Sequence, residues 1–309
     1  MNTTIVTMYF NLRNLEDATD EVRPKSFYMD KGTATLSLDA PMVIFCDDTS
    51  YEDIKQIRDT YVKNKTTYII KAITEYDFYK YSFPVIRKNR EGDEMYRTNR
   101  NTSSYFILCM FKILGIFIAK QLDPYGTPFY AWIDFGGSHV MRGFHEYASK
   151  MIENPHPKVS FCYIHYRNEH ELSIHKRFCA GMCGVGGTAF TVESSYVDQF
   201  YNGTMGIFHE IISYKMGHAD EQVLTYFHQR YPHLCTIYYG DYYSILQNYH
   251  YVRDDYNCIK YNFIVESIHK GRRDIASTAI SKVLESVRIG ALLLDQHEID
   301  WLVYNQHAD

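Results

Sequence analysis

Residues 128–137 read PFYAWIDFGG, an apolar and aromatic run that stops abruptly at Asp134 and is followed by Phe135, Gly136 and Gly137. A strand without polar alternation is buried on both faces, the pattern of a sheet covered by helices on either side. A carboxylate directly after such a strand stands at its carboxyl end, where open α/β sheets bind ligands. The glycines behind it let a phosphate or a sugar approach the backbone closely. By position alone Asp134 reads two ways, as a ligand for a divalent metal set against a diphosphate or as the cap of a turn.

Working outward, Thr4–Phe10 (TIVTMYF), Pro41–Cys46 (PMVIFC), Thr67–Ile73 (TYIIKAI), Val159–Tyr166 and Thr188–Val192 predict further strands. Ser50 is expected to cap a helix running to about Tyr61, with Asp53 at the capping-box position. Thr102 or Ser103 caps a long helix from Ser104 to about Gln121, stopped by Asp123-Pro124-Tyr125-Gly126. A helix follows from Ser194, and another over Asp220–Tyr231 carries acidic residues in its first turn, as the helix dipole favours. Such alternation predicts an α/β fold with a mostly parallel sheet between helices. Beyond about Tyr261 two amphipathic helices, Ile264–Val287 and Ile289–Tyr304, are expected to pack on the same core as an appendage. The division expected is therefore 1–260 for the main domain and 261–309 for a C-terminal helical extension.

Of 309 residues, 46% are hydrophobic and 22% charged, which suits a globular chain rather than a disordered one. The net charge of -5 weighs against a general affinity for nucleic acid or anionic lipid. No run reaches the roughly 20 apolar residues of a membrane span, since Tyr105–Ala119 is broken by Lys112. The first ten residues lack the basic region of a signal peptide. Seven cysteines at irregular spacings do not form a disulfide framework, so a cytoplasmic, reducing compartment is expected (host cytoplasm or virion for a viral chain). The group Cys162, His165, His170, His175, Cys179 and Cys183 contains no C-x-x-C pair and lacks the spacing of a zinc site. P-loop, dinucleotide-binding, nucleophile-elbow and H-E-x-x-H motifs are likewise missing from the sequence.

Three further places carry chemistry-bearing side chains. Asp47-Asp48 ends a strand, where a carboxylate either accepts from a base or ribose or simply opens a helix. Arg100 precedes the long helix, where a guanidinium beside free N–H groups makes a phosphate site, or else merely faces water. Asp220 and Glu221 diverge by about 100° on their helix, so only one of them can face a site as a base.

Taken in order, IVTMYFN, MVIFCDD, RNTSSYFILCMFK, PFYAWIDFGGSHV, FCAGMCGVGG and DEQVLTYFHQRYPHLCTIYYGDYYSILQNY resemble the HtrL/YibB-like group of bacteria and large DNA viruses. More broadly they resemble nucleotide-sugar transferases of the GT-A, Rossmann-like fold, over roughly residues 3 to 252. That resemblance implies a glycosyltransferase, a hexosyl- or pentosyltransferase, moving a sugar from a nucleotide diphosphate donor to a hydroxyl of a glycan or glycoconjugate. It implies that Tyr9 and Phe10 hold the nucleoside, that Asp47 meets base or ribose, and that Asp134 takes the first position of a D-x-D motif. Gly136 replaces the second Asp of that motif, and Gly181 lies in the segment beside the donor sugar. Asp220 and Glu221 match the acidic motif that meets the sugar or the acceptor, with Asp220 favoured as the catalytic carboxylate. The implied cofactor is a divalent metal, Mn or Mg, held by Asp134 and His250. The alternative, suggested by the missing second carboxylate, is a catalytically inactive nucleotide- or carbohydrate-binding module on the same fold.

Overall fold

The computed structural model describes residues 2–20, 22–62, 65–91, 102–168, 183–215 and 219–307. Seven strands form one sheet: β1 (Thr3–Tyr9), β2 (Met42–Cys46), β3 (Thr66–Ile70), β4 (Phe129–Ile133), β5 (Val159–Tyr163), β6 (Ala189–Glu193) and β7 (Cys235–Tyr239). Their spatial order is β3-β2-β1-β4-β6-β5-β7, and only β6 runs antiparallel to its neighbours. The α/β class, the mostly parallel sheet and the helical C-terminal segment are as expected. Strand order reverses between β1 and β4, which opens a crevice at their carboxyl ends.

The main helices are α1 (Lys25–Leu36), α2 (Asp48–Tyr61), α3 (Asp77–Arg90), α4 (Ser103–Leu122), α5 (Phe144–Glu153), α6 (Val197–Ser213) and α7 (Asp220–Arg230). Alternate residues of β1 feed two cores: Val6 and Met8 join Phe45, Trp132 and the buried sides of α3, α4, α6 and α7. Ile5 and Tyr9 join Ile44, Ile133 and the sides of α1, α2 and α5. By length and composition α4 is apolar enough to cross a membrane, contrary to the expectation from the broken apolar run. In this fold it is instead a core helix, with Phe106, Ile107, Met110, Phe111, Ile113 and Ile116 all buried.

Two boundaries differ from expectation. Helix α2 begins at Asp48 with Asp47 as its N-cap residue, so Ser50 is buried inside the helix rather than capping it, and Asp53 pairs with Lys25 at 2.6 Å. The C-terminal segment is not two continuous helices. A π-helical stretch, Lys260–Val265, leads into Glu266–His269, and Gly271 then breaks the chain with φ of +70°, a conformation that glycine adopts without strain. Helices Arg273–Arg288 and Gln296–His307 follow, and Ala276, Ile280, Val283 and Leu302 are buried in the same cluster as Trp132.

A fully buried arginine ties the chain between α1 and β2 in place. The Arg58 guanidinium donates to the carbonyls of Leu36 (2.6 Å), Leu38 (2.7 Å) and Ala40 (2.6 Å), and its Nε donates to Thr66 Oγ1 (2.9 Å). Burial lowers its pKa, but a guanidinium stays charged. Replacing it would strand the buried carbonyls of Leu36 and Ala40 at about 1–3 kcal/mol each, while that of Leu38 keeps the Ala40 N–H. Arg58→Met is expected to lose at least about 2 kcal/mol of unfolding free energy in urea denaturation. Arg58→Lys should recover only part of this, because one ammonium lacks the planar fork.

Candidate active site

At the β1–β4 crevice lies a cavity of about 400 Å³. Tyr9, Phe10 and Asn11 enter it from the end of β1, and Arg23 and Tyr28 from the start of α1 and the turn before it. Tyr105, Cys109 and Lys112 come from α4, while Trp132, Asp134 and Gly136 come from the end of β4. Tyr9 packs its ring against Tyr28 at 5.6 Å and Phe135 at 5.3 Å, giving the cavity one aromatic wall. At its mouth the Arg23 guanidinium sits 4.6 Å over Phe27 and within 3.2 Å of His139 Nε2, and His139 Nδ1 meets the Gly136 carbonyl.

The floor is an ion triad. Lys112, a lone cation on the buried side of α4, places its ammonium 3.0 Å from Asp134 Oδ1, 3.2 Å from Asp134 Oδ2 and 2.9 Å from Asp220 Oδ2, and donates to the Gly187 carbonyl at 3.0 Å. Burial alone would push Lys112 down, but the charges of Asp134 and Asp220 outweigh it and hold the ammonium well above its ordinary value. Asp134 is one-third exposed to the cleft and also accepts from Trp132 Nε1 at 2.7 Å. Burial raises its pKa against the opposing pull of Lys112. Asp220 is 4% exposed and faces Lys112 rather than the cavity, so it can act on the cleft only through that lysine.

Glu221 occupies a different environment. Its Oε2 accepts from the Tyr242 hydroxyl at 2.8 Å and its Oε1 from the Gly187 N–H at 3.3 Å. Burial, then the charge of Asp220, raises its pKa. Gly187 therefore touches both carboxylate-bearing residues. A Cβ there would stand 2.3 Å from Asp220 Oδ2, so only glycine fits. Thr225 fastens the same loop to α7 by accepting from the N–H groups of Gly184 (2.9 Å) and Val185 (3.0 Å).

Of the residues singled out from the sequence, Tyr9, Phe10, Asp134 and Gly136 line the cavity together, and Asp220 lies behind it. Phe10 is 4% exposed and packs edge-on against Phe111 and Tyr76, so most of its ring belongs to the core. Asp47 stands apart from the cavity: Oδ2 accepts from the Asn11 N–H at 2.8 Å and Oδ1 from the Thr49 hydroxyl at 2.7 Å, so it staples β2 to the turn after β1. Arg100 and Gly181 lie outside the described residues. His250 does not meet Asp134, a correction to its expected role as a metal ligand. Its Nε2 lies 3.3 Å from the Lys150 carbonyl near the end of α5 and its ring packs on His156, which precedes β5. That is the amino edge of the sheet, a five-residue strand or about 16 Å from the carboxyl edge.

The donor set does not fit a protein-held divalent metal. Both oxygens of Asp134 already face an ammonium, Gly136 offers no carboxylate, and among the described residues no three His, Cys, Asp or Glu side chains converge. Lys112, Arg23, His139 and Tyr242 escaped the sequence reading, and only Lys112 left a signal, as the one charge inside an apolar helix segment.

The family model described as "Bacterial protein of unknown function (HtrL_YibB)" matches residues 1–250. The chain belongs to the HtrL/YibB family. No curated protein matches it by sequence. Among solved structures, this HtrL/YibB chain is similar to mouse xyloside xylosyltransferase 1 in its apo form, at 10% identity and TM-score 0.44, covering 77% of this chain and 85% of that one. It is similar to core-mannan synthase A from Aspergillus fumigatus in a Mn/GDP form, at 11% identity and TM-score 0.42, covering 77% and 72%. A third likeness is to 4-diphosphocytidyl-2C-methyl-D-erythritol synthase from Anaerococcus prevotii, at 9% identity and TM-score 0.38, covering 85% and 96%. These likenesses are too distant to bear on chemistry.

The raised carboxyls give a signed pH dependence. The folded Glu221 binds its proton more tightly than the unfolded chain does, so its contribution is fully present below the ordinary value of 4.5 and is lost as pH rises through the folded value. Asp134 acts in the same direction. Urea denaturation across this range should show stability falling as pH rises above the ordinary carboxylate values, and Glu221→Gln should flatten that fall. An unchanged slope in the variant would remove Glu221 as its source.

Proposed function

We propose that this HtrL/YibB protein is a glycosyltransferase that moves a sugar from a nucleotide diphosphate donor to an acceptor hydroxyl. One observation carries the reading: a cavity at the β1–β4 switch point combines an aromatic wall, a guanidinium at its mouth and a carboxylate held rigidly on its floor. The Tyr28 ring, backed by the buried Tyr9, suits a nucleobase, which stacks on aromatic faces and leaves its polar edges wet. Arg23 suits the diphosphate, for which a guanidinium supplies paired donors. Asp134, fixed by Trp132 and Lys112, suits the sugar, where positive charge develops as the glycosidic bond breaks.

In this reading Lys112 and Asp220 position Asp134, and Glu221, held outside the cavity lining by the Gly187 N–H and the Tyr242 hydroxyl, takes the proton of an acceptor hydroxyl that enters beside the Gly187 loop. A carboxyl with a raised pKa is a better base at neutral pH than an ordinary one. The inactive-module alternative draws on Gly136, which stands where a second carboxylate would be. Donor hydrolysis by the wild-type protein separates the two, since a binding module retains the nucleotide sugar intact.

Asp134→Asn tests the floor. Lys112 keeps Asp220 as a partner in the variant, so the fold should hold and the melting temperature should change little. Turnover should fall by about 100-fold or more, with donor affinity within about threefold of wild type, because the lost charge acts mainly in the transition state. Full-rate hydrolysis by Asp134→Asn would overturn the assignment.

A further inference from the structure

The triad conflicts with the usual expectation of a metal at a strand-end carboxylate, and the conflict is informative. A divalent cation bound to Asp134 would need an oxygen at about 2.0–2.2 Å. Both oxygens instead lie within 3.2 Å of the Lys112 ammonium, which is 7% exposed and anchored from behind by Asp220 and the Gly187 carbonyl. The Lys112 backbone is held in place, because its helix is packed into the core on either side of it through Phe111 and Ile113, and its ammonium is already committed to Asp134, Asp220 and the Gly187 carbonyl. A second cation at Asp134 would therefore sit against a fixed positive charge and lose the carboxylate share already committed to it.

The phosphate end of the cleft has its own cation. Arg23 lies at the mouth with its guanidinium over the Phe27 ring, held near His139 by a nitrogen-to-nitrogen contact of 3.2 Å. With His139 Nδ1 turned to the Gly136 carbonyl, Nε2 is the acceptor and Arg23 the donor. A phosphate oxygen is a stronger acceptor than a neutral imidazole, so an arriving diphosphate can take over that donor.

We infer that the cleft binds its nucleoside diphosphate without a divalent metal, the Lys112 ammonium standing where a metal would meet Asp134 and the Arg23 guanidinium meeting the phosphates. The inference rests on the glycosyltransferase reading above and specifies how that site handles charge. It also gives the lysine a positioning role: Lys112 holds Asp134 in place.

Calorimetric titration of UDP and GDP into EDTA-treated protein, repeated with saturating Mn²⁺ or Mg²⁺, tests it. At least one nucleotide should bind in EDTA, with an affinity within about threefold of that in metal, and Arg23→Ala should weaken it about tenfold under both conditions, the size of one charge-assisted hydrogen bond. Paramagnetic resonance of Mn²⁺ gives a readout without nucleotide. The wild-type protein should leave the free-ion signal undiminished, whereas Lys112→Met, which frees two adjacent carboxylates, should attenuate it. Nucleotide binding that tightens more than about tenfold with metal, or attenuation by the wild-type protein, would overturn the proposal while leaving the glycosyltransferase reading standing. Failure of both nucleotides to bind under either condition would sink that reading and this inference with it. The wild-type measurements decide the matter even if Lys112→Met does not fold.

Discussion

A buried ammonium between two carboxylates sets the terms for the rest of this molecule. Stripping water from such a charge costs several kcal/mol, and the cost is met only where Asp134, Asp220 and the Gly187 carbonyl converge on Lys112. Those groups come from β4, α7 and the approach to β6, so one cation fixes three parts of the chain that are distant in sequence against α4. The converse holds as well. Without Lys112 the two carboxylates would share a desolvated site in which both could not remain ionised. Close convergence also explains the glycine at 187, since any side chain there would strike the Asp220 carboxylate.

The strands were legible in the sequence for a physical reason. Strands β1, β2, β4 and β5 are buried on both faces, so their apolar runs are continuous and end sharply at polar residues. The elements that escaped lack that contrast. Helix α1 (KSFYMDKGTATL) buries only Gly32, Thr35 and Leu36 and carries no apolar stripe. Helix α3 contains Pro84 in its interior, and β7 (CTIYY) is half-exposed over its first three residues. The start of α2 was misplaced because Asp47, Thr49 and Ser50 are all capping residue types, and only the tertiary contact from Asn11 to Asp47 distinguishes them.

The site divides along the same line. Asp134 could be placed from its strand, because a carboxylate after a buried strand has one edge of the sheet to occupy. Asp220 could be placed near the core from its helix, but its partner could not. Lys112 registered only as an interruption of an apolar run, although a cation on the inner face of a buried helix must find an anion. His250 shows the limit of position in a motif. Its neighbour Tyr249 is buried among Thr191, His156 and Tyr238, which draws the histidine to the amino edge of the sheet.

The single reversed strand has a consequence for how this fold can vary. Because β6 runs against β4 and β5, it begins, rather than ends, at the edge that carries Asp134. Strand β5 leaves the sheet at Tyr163 on that same edge, so the connection from β5 to β6 starts and finishes at one edge of the sheet, and its last residue, Thr188, lines the cavity. A change of length there leaves the far register, Val159 and Tyr130 each opposite Val192, in place, but residues 184–187 are pinned by the Tyr163–Val185 bridge, by Thr225 and by Lys112. The reversal thus ties variation in that connection to the cavity: a change of length suits the site only where Gly187 still meets Lys112 and Thr188 still lines the cavity.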